Sequence, residues 1–298
     1  MRTTQILCGT AVLVGSLTAA TIHASGGAQP SSGGALQGTL PASGAQANAR
    51  LAASPRQAEW VTIRAGADSV RAWVVYPERR ENAPVVVAVH DNRGMSNWIR
   101  AVADQLAADG FIAIAPDMLT MLAVPRLPDG ESDPDGVRAV IGQVDQATRD
   151  RYIQAFGEWG TRLPGASARY GIVGFCWGGS TVFAHAVAAP ASLGAVVVYY
   201  GGSPPPERLA SVRAPILGLY GENDARVNRT VPPAEAALTA AGRTFEAHTF
   251  AGAGHGFTRS QEALDGANLE AVRQAWPLTV AWFRRHLGGE SASNPTGY

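Results

Sequence analysis

The residues with the clearest chemical potential lie in Gly171-Ile172-Val173-Gly174-Phe175-Cys176-Trp177-Gly178-Gly179. An apolar strand ends at Val173, a tight turn carries Cys176 at its apex, and a helix is predicted over residues 180–188. Gly-x-Cys-x-Gly is the spacing of a nucleophile elbow, with a thiol where serine usually stands. A sharp strand-to-helix bend strains its apex residue and crowds the residues two positions to either side. Gly174 and Gly178 suit those positions because neither carries a Cβ. The bend lifts the sulfur above the sheet edge, where the free amides of the helix N-terminus favour negative charge. A cysteine buried in a glycine-rich turn is the alternative reading of the pentapeptide alone.

Two more loops complete a possible constellation. Gly221-Glu222-Asn223-Asp224 follows an apolar run over residues 215–220. Gly252-Ala253-Gly254-His255-Gly256-Phe257 follows an alternating run over residues 244–250. A thiol is only a few per cent ionised near neutral pH, so it needs a base. The His255 imidazole is suited to take that proton and return it to a leaving group. Asp224 is suited to fix the imidazole tautomer and stabilise the imidazolium. Taken singly, Asp224 reads as a turn aspartate and His255 as a loop histidine; at three strand ends in the order Cys, Asp, His, they read as a triad. In open α/β sheets such strand ends converge on one crevice.

The elements that must position these loops follow from hydrophobic pattern. Residues 59–64 and 70–76 alternate around a Gly66-Ala67-Asp68 turn and predict a β-hairpin. Continuous β-branched or apolar runs at 84–90, 111–115, 169–173, 194–200 and 215–220 predict strands buried on both faces. Helical spacing marks 98–108, 140–163 (as one helix or two), 232–241 and 264–287, the last with a possible break near Pro277. Residues 119–137 hold prolines, aspartates and glycines and are left as a loop. The expected fold is an α/β domain over residues 56–289, with a mostly parallel sheet flanked by helices. A flexible tail is expected at residues 290–298.

Composition narrows the class. The chain has 298 residues, 46% hydrophobic and 16% charged, which suits one large buried core. A formal net charge of zero, without a basic run, argues against nucleic acid or an anionic membrane surface as partner. Arg2 followed by the apolar stretch 6–20 reads as an export signal over residues 1–24, cleaved near Ile22-His23-Ala24. Residues 25–55, rich in Gly, Ala, Ser, Gln and Pro, are expected to be a disordered linker. Of the 2 cysteines, Cys8 lies in that signal, so the exported protein would carry Cys176 alone. No Cys/His cluster has zinc spacing and no glycine-rich phosphate loop is present, so neither metal nor cofactor is expected. His90 is expected to pack in the core or orient the loop after its strand. His185 and His286 are expected to be structural and His248 to face solvent. Tyr199, Tyr200 and Trp177 are placed either along the pocket or in the core.

The segments VVVAVHDNRG, GFIAIAPDML, GFCWGG, GLYGEND and GAGHGFTR together resemble the dienelactone hydrolase (carboxymethylenebutenolidase) family of α/β-hydrolases, from about residue 59 to 287. The resemblance implies Cys176 as nucleophile, His255 as base and Asp224 as its partner. It implies an oxyanion hole from the backbone amides of Trp177 and Asn92. In the family a first-loop glutamate interacts with the resting thiol; the matching residue is Asp91, one methylene shorter. Arg259 matches an arginine that binds the substrate carboxylate, whereas Arg126 and Arg138 match no second one convincingly. The expected protein is thus a monomeric, periplasmic or secreted hydrolase of a small neutral or anionic ester or enol-lactone. A general carboxylesterase or thioesterase and a non-catalytic thiol sensor or small-acid binder are the alternatives.

Overall fold

The computed structural model describes residues 40–288. The expected signal (1–24), the first part of the linker and the tail 290–298 lie outside the described residues. The sheet has eight strands in the order β1-β2-β4-β3-β5-β6-β7-β8. They are β1 (Ala58–Ala65), β2 (Asp68–Val75), β3 (Ala83–Val89), β4 (Ile112–Pro116), β5 (Ala166–Phe175), β6 (Leu193–Tyr199), β7 (Ile216–Gly221) and β8 (Phe245–Phe250). β1 and β2 form the expected hairpin, turning at Gly66 with φ 67°. β2 adds antiparallel to β4, and every later pairing is parallel.

Strand periodicity explains why one sheet needs two helical layers. β3 sends Val86 and Ala88 to one face and Val85, Val87 and Val89 to the other. β6 does the same with Ala195, Val197 and Tyr199 against Val196 and Val198. On the first face lie α2 (Asn97–Ala108), through Trp98, Val102 and Leu106, and α8 (Ala267–Leu287), through Val272, Trp276 and Phe283. On the second lie α4 (Gln146–Gly160), α5 (Trp177–His185) and α7 (Val231–Ala240), through Ile153, Phe156, Phe183 and Leu238. Each fully buried aliphatic or aromatic side chain of this kind contributes about 1.5–3 kcal/mol. α8 runs unbroken through Pro277. That residue is exposed, while buried Trp276 and Val280 hold the helix to the sheet.

The structure corrects two sequence expectations about irregular segments. The linker does not extend to residue 55: α1 (Ala47–Ala53) and the residues before it form an ordered strap. Leu40, Ala42 and Ala47 are buried in the first-face core. Small residues conceal this helix from a hydrophobicity argument, because alanine buries little area. Polar contacts add to the anchoring, with Asn97 Nδ2 donating to Asn48 Oδ1 at 2.7 Å and Arg50 Nη1 to Gln105 Oε1 at 2.7 Å. The stretch 119–137 also has structure. It contains the start of α3 (Pro134–Val140), capped by the Asp133 carboxylate, and Leu119, Val137 and Val144 make a small core there.

Candidate active site

Cys176 joins β5 to α5 with φ 56° and ψ −112°, a left-side conformation that a residue with a Cβ adopts only when its surroundings enforce it. The enforcement is backbone against backbone. The Cys176 N–H donates to the Tyr199 carbonyl at 3.1 Å. A Cβ on Gly174 would lie 2.1 Å from the Gly178 carbonyl oxygen, and one on Gly178 would lie 2.4 Å from the carbonyl oxygens of Val89 and His90. The helix begins directly at Trp177, three residues earlier than the sequence suggests. The Trp177 amide therefore stands at the first helical position, beside the sulfur. Neither it nor the Asn92 amide has a hydrogen-bond acceptor among the described residues.

Asp224 follows β7 and caps the short helix α6 (Ala225–Asn228). It is 6% exposed, and its Oδ2 accepts from His255 Nδ1 at 2.5 Å. His255, on the loop after β8, places Nε2 2.9 Å from the Cys176 sulfur. Residues from three separate strand ends thus meet in one hydrogen-bonded line. The ring of Tyr200 meets the His255 ring edge-on at 5.2 Å, and its hydroxyl is held by Thr258 Oγ1 at 2.8 Å. The hydrogen bond to the Cys176 sulfur, seconded by that to Asp224, raises the His255 pKa to about 9 against the opposing effect of burial.

Asp91 stands just past β3 and is committed elsewhere. Its Oδ2 accepts from Arg259 Nε at 2.8 Å, and its Oδ1 accepts from Arg259 Nη2 at 3.3 Å and the Arg93 N–H at 2.9 Å. Its hydrogen bonds run to these groups rather than to Cys176. Arg259 also donates to Ser96 Oγ at 3.0 Å and lies 4.6 Å from the Trp98 ring centre. Ser96 and Trp98 carry no signal in the sequence beyond a helix N-cap and an apolar helix position. A groove of about 620 Å³ opens here, lined among others by Gly44, Ala45, Arg93, Trp98 and Arg259. The strap therefore walls part of it.

The remaining candidates separate clearly. Tyr199 is not a pocket residue: its side chain is fully buried and its hydroxyl meets Thr279 Oγ1 at 2.7 Å. It ends β6 with its ring in the first-face core; Tyr200, one residue past the strand at φ 39°, joins the same core with its ring against His255. Trp177 is half-buried. Arg126 is bound to Asp117 at 2.6 Å, and Arg138 pairs with Asp135 on the surface. His185 is buried against Asp150 at 2.9 Å, His286 packs on Trp282, and His248 pairs with Glu246 at the sheet edge.

A mostly parallel sheet, an elbow with a strained nucleophile-type residue, and acid and histidine loops after later strands define an α/β-hydrolase. The sequence profile of the dienelactone hydrolase family matches residues 70–287. The chain belongs to that family, which makes it a hydrolase acting on ester or lactone bonds. Its relatives include a Salmonella typhimurium protein named "Putative carboxymethylenebutenolidase", 28% identical over 239 residues, covering 76% of this chain and 87% of the relative. A Klebsiella pneumoniae crystal structure named "Putative Dienelactone Hydrolase" is 28% identical with a TM-score of 0.68, covering 78% of this chain and 99% of its own. A dienelactone hydrolase-like promiscuous phosphotriesterase from metagenomic libraries shares the fold at 22% identity, with a TM-score of 0.66 and coverage of 78% and 98%.

Proposed function

We propose that the protein hydrolyses small esters or enol-lactones through a thioester on Cys176. The observation that carries this reading is the continuous line Asp224–His255–Cys176, with contacts of 2.5 Å and 2.9 Å. The Cys176 sulfur attacks as the thiolate, forming a bond to the carbonyl carbon. The oxygen of the tetrahedral intermediate takes its charge to the free amides of Asn92 and Trp177. On collapse the carbon–oxygen ester bond breaks, and the His255 imidazolium gives its proton to the departing alkoxide or enolate. Water then loses a proton to His255 Nε2 and attacks the thioester, and the acid departs as the sulfur is restored. Asp224 holds the Nδ1–H throughout.

Carboxylate recognition by Arg259 belongs to the same proposal, and it has a condition. An anionic substrate must displace the Asp91 carboxylate from Arg259 to be bound by it. The commitment of Arg259 to Asp91 also favours a second reading, a carboxylesterase indifferent to substrate charge. Matched acidic enol-lactones and neutral aryl esters separate the two. Preference for the acidic series, lost in Arg259→Gln, supports the first; equal turnover supports the second. Cys176→Ala is expected to abolish turnover of both series, and full activity in that variant would remove the nucleophile. An exported, monomeric enzyme is part of the proposal; a processed N-terminus in the periplasmic fraction and a single-chain mass in solution would support it.

A further inference from the structure

His90 is a buried histidine beside the elbow that the reaction above does not use. It ends the run of β3, is fully buried, and burial pushes its imidazole toward the neutral form. Its Nδ1 lies 2.8 Å from the carbonyl oxygen of Asp91. A carbonyl only accepts, so Nδ1 carries the proton; Nε2 is then a bare lone pair, and it has no partner. The bond matters because of what shares that peptide unit. In a trans peptide the C=O and the following N–H point in opposite directions. Drawing the Asp91 oxygen toward His90 therefore aims the Asn92 N–H away from it. The Gly94 N–H takes the same oxygen at 3.2 Å and closes the turn from its other side.

The same residue also touches the second amide's support. The His90 ring stacks on the Trp177 indole, with centroids 5.5 Å apart and planes 11° from parallel. The Arg149 guanidinium also lies against that indole, at 5.1 Å. Gly178 seats the first turn of α5 directly on the His90 carbonyl. One side chain and its own backbone thus contact both the loop that presents Asn92 and the helix start that presents Trp177.

We infer that His90 is a positioning residue that sets the two oxyanion amides, Asn92 and Trp177, relative to each other. It does not touch substrate; it acts as a fixed donor and a flat support. This rests on the proposed acyl transfer at Cys176, so the test keeps the two apart. His90→Phe keeps the stack and removes the donor, whereas His90→Asn keeps a donor near Nδ1 and removes the stack. Losing an oxyanion donor outright costs about 100- to 1000-fold in kcat, so a misaimed one is expected to cost about 10- to 100-fold.

For His90→Phe the expected result is that fall in kcat with little change in KM. Affinity for a trifluoromethyl ketone, whose thiohemiketal oxygen occupies the oxyanion position, should fall in parallel. Alkylation of Cys176 by iodoacetamide, which needs no oxyanion hole, should proceed at the wild-type rate, and His90→Asn should recover part of kcat. A wild-type kcat in His90→Phe, or a fall matched by an equal loss of alkylation rate, overturns the inference. If His90→Phe does not fold, imidazole nitrogen shifts of the wild type decide. A neutral ring protonated on Nδ1 at neutral pH supports the role, and a proton on Nε2 or a charged ring there ends it. Loss of Cys176 dependence in the wild type would instead remove the acyl-transfer reading itself.

Discussion

The Asp91 carboxylate is gripped by Arg259, 168 residues away in sequence, through Nε at 2.8 Å and Nη2 at 3.3 Å. The pair joins the loop after β3 to the loop carrying His255, so it clamps two walls of the site. Both partners are largely buried, at 9% and 17% side-chain exposure. Removing one partner strands the other. Arg259→Gln is expected to cost about 3–5 kcal/mol in urea unfolding. Asp91→Asn added to it should cost much less than the two singles summed. Additive losses would mean that the clamp does not exist in solution.

The elbow tolerates no side chain at its glycines. Gly178→Ala places a Cβ 2.4 Å from two main-chain oxygens, which cannot swing aside. Overpacking of this kind costs about 1–3 kcal/mol or more, and here it also displaces the oxyanion amides. Both Tm and kcat should fall. Gly202→Ala is the control, since nothing approaches its Cβ closer than 3.8 Å. Its stability should stay within about 0.5 kcal/mol of wild type.

The His255 pKa near 9 sets a sign for pH effects. Its folded value lies above the unfolded value of about 6.5. The stability it contributes is therefore complete below about pH 6.5 and is lost as pH rises toward about 9. The Tm gap between wild type and His255→Gln should shrink across that window. The basic limb of kcat/KM should fall near pH 9. It should move to lower pH in Asp224→Asn, because Asp224 is one of the groups holding the proton on. A limb that does not move would detach Asp224 from the imidazole.

The strap offers a test of order outside the family-matched region, which begins at residue 70. Besides its buried Leu40, Ala42 and Ala47, it bonds the His255 loop: the Gly44 N–H donates to the Arg259 carbonyl at 2.8 Å, and Gln261 Nε2 to the Pro41 carbonyl at 2.9 Å. Deleting residues 1–53 is expected to lower Tm by about 5 °C or more. A Tm no lower for that variant than for a chain starting at residue 40 would contradict a docked strap.

What could be read from sequence was whatever has a periodicity or a forced local geometry. Buried strands such as 84–90 and 194–200 announce themselves by β-branched runs, and Cys176 by the flanking glycines that its backbone requires. The strap is hidden because its apolar contacts come from alanines and two isolated leucines, Leu40 and Leu51, and the rest from polar groups whose partners lie far along the chain. Whether Tyr199 or Tyr200 meets the site cannot be read from strand alternation, because Tyr200 stands just past the end of β6 at φ 39° and both rings join the same core, Tyr199 on Thr279 and Tyr200 against His255. The Arg259–Asp91 pair was invisible because each residue is chosen for a partner on another loop. The role of His90 depends on the direction of one peptide plane, which no spacing encodes.

The account turns on whether the sulfur that His255 meets at 2.9 Å becomes acylated during turnover. Rapid acid quench of the enzyme with a neutral aryl ester, followed by peptide mass spectrometry, measures this directly. The account predicts the acyl mass on the peptide containing Cys176, formed and lost at rates compatible with kcat, and absent in Cys176→Ala. Steady turnover with the Cys176 peptide unmodified, or with the acyl group on another residue, would contradict it.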